Sequence, residues 1–235
     1  MKKIAKLFTT LRVWKYKGVT PVVHPTAYVH PSAVLIGDVH VGARCYIGPC
    51  VVLRGDNGPI RILEGANIQD GCVVHGAPGN LTMIERFGHI GHGAVLHGCH
   101  IAENAFVGIN SVVMDRAVVG KDSWVAAMSF VREEFDVPPG MLAMGAPAKV
   151  IKPLTEKQLA GKAKSTAGYL ALSEHAAIES QLVAPLTRSL TPSSVSSHQG
   201  APQRMRALSL RMRRSWRKMR RRTHSSIKPS NHPTP

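Results

Sequence analysis

Aromatic side chains are scarce, with three Trp, four Tyr and five Phe among 235 residues. A large mixed core normally leans on such rings, so their scarcity beside plentiful Val, Ile, Ala and Gly favours a repetitive β interior built from small groups. Cysteine is also sparse. Cys45, Cys50, Cys72 and Cys99 show no CxxC spacing, which argues against disulfides and zinc thiolates and reads as reduced, mostly buried thiols. No apolar run approaches the ~20 residues of a membrane span. The opening MKKIAKLFTTLRVWKYKG is interrupted by Arg12, Lys15 and Lys17, where a signal peptide needs an unbroken apolar core. A cytoplasmic protein is the expectation. Acidic residues are few, 14 against 30 Lys and Arg, for a net charge of +16. From Gln181 onwards there are twelve basic residues and no acid, leaving eighteen basic against fourteen acidic in the rest. The body is nearly balanced, and basicity belongs to the tail.

What the chain has is a six-residue period. Aliphatic residues recur at Val23, Val29, Leu35, Val41, Ile47 and Leu53, then at Ile62, Ile68 and Val74. They recur again at Val95, Ile101, Val107, Val113, Val119, Val125 and Val131. A strand alternates with period two and a helix with 3.6, so neither alone gives a strict six. A triangular solenoid does, each hexapeptide forming one side and turning its aliphatic residue inward. The predicted fold is an all-β left-handed parallel β-helix over residues 19–150, after a basic lead-in over 1–18. The repeat is expected to stop after Val131, with PPGMLAMGAPAKVIKPL as a turn-rich exit. Thr155-Glu156-Lys157-Gln158 reads as a capping box that opens a C-terminal helix within 151–183. Residues 184–235 hold too little apolar surface for a core and read as a disordered tail. Met205, Leu208, Met212, Trp216 and Met219 recur there at helical spacing, so a basic amphipathic stripe for an acidic surface stands beside the plainer reading of a solvated tail.

The chemistry concentrates between Gly65 and Cys99, in GANIQDGCVVHG and GHIGHGAVLHGC. Each of His75, His92 and His97 alone reads as a surface or packing residue. Together, beside Asn67, Gln69 and Asp70, they supply what a catalytic zinc site requires, three neutral imidazoles and a fourth position for water. His75 and His97 lie 22 residues apart, one coil plus a short irregularity, and are expected on adjacent rungs. His92 lies five residues before His97 and is expected on the other side of the local chain. One copy offers two ligands readily and the third awkwardly, which makes an oligomer part of the metal reading.

The motifs TPVVHPTAYVHPSAVLIGDV, LRGD, GANIQDGCVVHG, GHIGHGAVLHGC, NSVVMD, VAAMSFV and GAPAK appear in order between residues 19 and 183. In these the chain resembles the γ-class carbonic anhydrase-like hexapeptide-repeat family, in its subgroup of carnitine operon and phenylacetic acid degradation proteins. The resemblance implies a homotrimer with zinc, or another divalent metal, at each interface. By it, His75 and His97 come from one subunit and His92 from its neighbour. Gln69 orients the metal-bound water, with Asn67 and Asp70 behind it, and Arg54 and Asp56 form an ion pair between subunits. It also implies acyl-CoA or a small carbonyl compound as substrate, with thioester hydrolysis by zinc-bound hydroxide. The chain departs from the efficient anhydrases at Asn57, where they carry Glu, and Glu85 is the only acid between Gly76 and Gly88. Carbonic anhydrase activity is therefore expected to be weak at most. A zinc-independent hexapeptide acyltransferase and a non-catalytic accessory to a carnitine or acyl-CoA pathway enzyme are the alternative readings.

Overall fold

The computed structural model describes residues 11–185. The lead-in before Leu11 and the basic tail with its Met205 to Met219 stripe lie outside the described residues. Between them the chain winds as a parallel β-solenoid of about seven turns, followed by a helix. Short strands stack on three faces. One face is an eight-stranded sheet, while the other two merge into a twelve-stranded one. They merge because Val34–Val41 and Val52–Ile62 each run unbroken around a corner. Gly37 and Gly55 pair at that corner, where Gly37 has φ +71° and a Cβ on it would lie 2.6 Å from the Gly55 carbonyl oxygen. Only glycine lets the two strands turn together there.

The inward column is the predicted one with corrections. Leu35, Ile47, Leu53, Ile68, Val74, Ile101, Val107, Val113, Val119, Val125 and Val131 are fully buried. Leu96 takes the place expected of Val95, which is exposed. The inward residues run Ile84, Ile90, Leu96 and then Ile101, so the corner between the last two is one residue short and the phase slips. The repeat also continues beyond Val131, since Val137 and Ala143 are buried in the same column. The turn-rich exit is an antiparallel pair of strands, Met141–Gly145 with Ala148–Pro153, and it finishes the solenoid with a hairpin. The lead-in contributes too, Arg12–Trp14 pairing parallel with the first half of Val34–Val41.

Helix α1 spans Glu156–Glu179 and opens with the expected capping box, Thr155 and Gln158 each satisfying the other's backbone N–H. It packs on the eight-stranded sheet, where Tyr169 meets Tyr46 and His89 at ring centroid distances of 5.5 and 5.2 Å. Its buried residues are Lys162, Thr166, Ser173 and Ala176, a face more polar than an amphipathic helix usually buries. Lys162 Nζ donates to Phe87 O at 2.6 Å and Asn104 Oδ1 at 2.5 Å, tying the helix to two successive corners.

Candidate metal centre

Val73–His75 and Val95–His97 are adjacent parallel strands, with His75 paired to His97 and Arg54 paired to His75 on the other side. The register places the two imidazoles together, 4.9 Å between ring centroids. Asp115, one coil further on, accepts from His97 Nδ1, with its two oxygens 2.8 and 2.9 Å away. That bond fixes the tautomer and leaves the Nε2 lone pair available to a metal, as is usual behind a ligating histidine. His75 has both nitrogens occupied. Arg54 Nη2 donates to Nδ1 at 3.2 Å, so Nε2 carries the hydrogen and donates to Asp56 Oδ1 at 3.0 Å. A metal on His75 Nε2 therefore displaces that proton and its carboxylate contact.

Arg54 and Asp56 form their own pair, Nη1 lying 2.9 and 3.2 Å from the two carboxylate oxygens. Within one chain the two side chains reach each other because residues two apart on a strand point to the same side. Burial works against the Asp56 charge, but the hydrogen bonds from Arg54 and His75 outweigh it and hold the carboxyl below the usual range. Asp56 owes its position to a register shift. Ile60 pairs with Val39 while Gly55 pairs with Gly37, so the second coil carries three more residues here than the first.

The remaining candidates stand at or just before the preceding corner, where the eight-stranded face turns into this one. His92 lies in the turn before Val95, its Nδ1 3.3 Å from Asp70 Oδ2, with both side chains about half exposed. Five residues of chain separate it from His97, up to roughly 16 Å if extended. Asn67 and Gln69 are buried at this corner, where Gln69 Nε2 donates to Asn67 Oδ1 at 3.1 Å and contacts His89 Nε2 at 2.5 Å. The chain thus divides its candidate residues into two groups. His75 and His97, with Arg54, Asp56 and Asp115, stand at the end of one strand pair. Asp70 and His92 stand in the turns at its beginning, and Asn67 and Gln69 approach that corner from the eight-stranded face. Among the described residues no three His, Cys, Asp or Glu side chains converge to hold a metal. The donor chemistry of the first group fits two of three zinc ligands, and a third would have to come from elsewhere. His89 and Asp115 escaped the sequence reading. Each lies one coil beyond its partner, the separation that pairs His75 with His97.

A family model for the bacterial transferase hexapeptide, six repeats, matches residues 20–55. The carnitine operon protein CaiE of Proteus sp. (strain LE138) is 50% identical over 159 residues, covering 68% of this chain and 81% of that protein. The chain belongs to the CaiE hexapeptide-repeat family. The CaiE of Escherichia coli (strain K12) is 53% identical over 156 residues, covering 66% of this chain and 80% of its own length. Among solved structures, a hexapeptide transferase family protein from Anaplasma phagocytophilum superposes with a TM-score of 0.66 at 43% identity, over 68% of this chain and 95% of that one. A Bacillus cereus structure, provisionally called an acetyltransferase, gives 0.70 at 32% identity, over 70% and 96%. The two solved structures share the solenoid with this chain.

Proposed function

We propose that copies of the chain assemble head to tail into a trimer and hold zinc, or another divalent metal, at each interface. His75 and His97 of one copy and His92 of the next would be the ligands. The observation that carries this reading is the division of the site between two corners of one face, with a paired, pre-oriented histidine couple at one and the third histidine at the other. A rotation that brings unlike corners together closes into a ring. Val73 and Val95 stand exposed on the strands between the two corners, with Ile109, Met128 and Phe130 exposed further along, an apolar strip suited to burial against another copy.

Bound zinc would act as a Lewis acid that makes water nucleophilic near neutral pH. The chain's own groups would do the rest. Asp115 holds the His97 ring, the Arg54–Asp56 pair sits beside His75 with its charges balanced, and Gln69 orients the reacting water. The substrate we favour is an acyl thioester of coenzyme A, with weak carbonate hydration beside it. Asn57 offers no proton acceptor, and Glu85 is engaged by His100 Nε2 at 2.7 Å and the Glu103 backbone N–H at 2.8 Å, so neither is free to export a proton. The transferase family match over residues 20–55 favours a second reading, a metal-free acyltransferase in which a histidine deprotonates the acceptor. A non-catalytic role beside a pathway enzyme is the third.

Metal analysis of untagged protein separates the first reading from the others. About one zinc per chain is expected, lost in each of His75→Ala, His92→Ala and His97→Ala. Mixing His75→Ala with His92→Ala subunits should restore some sites after verified exchange. Full occupancy in His92→Ala would refute the ligand set.

A further inference from the structure

Gln69 is held from behind by a ring that belongs to no ligand group. His89, 4% exposed, lies on the strand His89–Ile90, paired in register with Asn67–Ile68 of the coil before. Phe106 packs on it at 4.8 Å and Tyr169 of helix α1 meets it edge-on at 5.2 Å with an interplanar angle of 90°, so the imidazole has little freedom to turn. Its Nε2 is 2.5 Å from Gln69 Nε2, and Asn67 Oδ1 is 3.1 Å from the same amide nitrogen. A primary amide has two hydrogens. With His89 Nε2 unprotonated, one goes to each of these neighbours and the amide has no donor left. Among the described residues the Gln69 carboxamide oxygen has no bonded partner.

We infer that His89 is a positioning residue, whose bare Nε2 locks the Gln69 amide so that Gln69 faces the reacting water only as an acceptor. The inference rests on the proposed metal site for the identity of that water, but the orientation of the amide can be judged without it. Two further observations bear on it. Burial drives the His89 imidazole down to about 3, with the Lys162 and His92 charges adding to the shift, so the ring is neutral and keeps a lone pair across the working range. Its other nitrogen, Nδ1, is buried with no hydrogen-bond partner among the described residues, as is Asn67 Nδ2. A buried polar atom without a partner is costly. A phenylalanine could fill the space between Phe106 and Tyr169 without that cost, so packing does not account for an imidazole here. The alternative tautomer, with its hydrogen on Nε2, would turn the Gln69 oxygen inward and present an amine-like donor to the water instead.

Long-range proton–nitrogen NMR on the full chain labelled at histidine decides the point, because it reports which ring nitrogen carries the hydrogen. In metal-free and zinc-loaded protein alike, His89 should carry it on Nδ1. In Gln69→Glu, where a carboxylate replaces the donating amide, it should move to Nε2. A wild-type ring protonated at Nε2, or no response to Gln69→Glu, overturns the inference. For activity, His89→Phe should keep its zinc and its KM for an activated ester while kcat falls roughly 10-fold or more, the scale of a lost supporting bond behind a metal site. His89→Asn, which restores an acceptor, should recover part of the loss. Loss of zinc in His89→Phe would show the ring supporting the ligands instead and would also overturn it. Absence of zinc from the wild type would defeat the metal reading alone, leaving the tautomer to judge the amide.

Discussion

Replacing Lys162 by Met should destabilise the protein by an amount that grows with pH. Lys162 is 3% exposed and its two acceptors, Phe87 O and Asn104 Oδ1, are neutral. Asp122 is linked to it through Asn104, whose Nδ2 donates to Asp122 Oδ1. Burial pushes the amine down to about 8, with attraction to Asp122 offsetting part of the effect. A neutral amine still has the two hydrogens these acceptors need. Between pH 8 and the ordinary lysine value near 10.5, the unfolded chain holds a proton that the folded chain has released, so this group's contribution to stability rises with pH. Relative to pH 7, the gain amounts to about 2 kcal/mol by pH 9.5. Lys162→Met removes two hydrogen bonds, about 1 kcal/mol each, but at pH 7 it also relieves the burial of a charge. The gap between wild type and variant should therefore be small at pH 7 and widen by about 2 kcal/mol at pH 9.5. Urea unfolding of both proteins, followed by circular dichroism at one fixed chain concentration, measures it. Tyrosine and cysteine titrations are common to both chains and cancel in the difference. A gap that stays flat over this range would refute the argument.

The phase slip separates two adjacent apolar residues. Leu96→Ala should cost about 2–5 kcal/mol as a core truncation, while Val95→Ala should cost under about 1 kcal/mol in the dissociated chain, and thermal melts compare them directly. Burial pushes the Cys45, Cys72 and Cys99 thiols up to about 12, 11 and 12, while Cys50 is exposed. A maleimide should thus label Cys50 quickly and the other three only after denaturation, as mass spectrometry of the digested protein would report. Truncation after Val183 should leave the melting transition unchanged and remove any salt-sensitive binding to anionic vesicles or nucleic acid, since the basic excess lies beyond Gln181. Unfolding of the truncated chain would make the tail structural.

The solenoid was legible because its period is carried by single aliphatic residues whose spacing fits no other fold. The same pattern failed at Val95 and Leu96. Both are apolar, so hydrophobicity could not choose between them, and the shortened corner at Gly98 (φ +53°) has no signature of its own. Ile84 and Ile90 were hidden behind the irregular segment that precedes them. His75 and His97 could be paired by counting, and His92 could be set apart from them by strand alternation, although it sits in a turn. Asp115 and His89 act on residues one coil away and belong to no local motif. Lys162 was the least visible. On a helix it looks like any solvated lysine, and its burial depends on groups 75 and 58 residues earlier.

Coil stacking gives this fold an unusual history to work with. Each rung contacts mainly the rung before and the rung after, so duplication of a whole coil can lengthen the solenoid while its interior column continues unbroken. As ligands of the proposed metal, the histidine couple has no such tolerance. Neighbouring rungs are about 4.8 Å apart, and a coil copied between Val73–His75 and Val95–His97 would double the separation to about 10 Å, beyond the reach of one ion. Growth and shrinkage by whole turns are thus open to the chain at either end of the stack and closed between these two strands. The length of such a protein can drift through gene duplication while the middle stays fixed, and adjacency of two rungs, more than any count of residues, is what inheritance has to preserve.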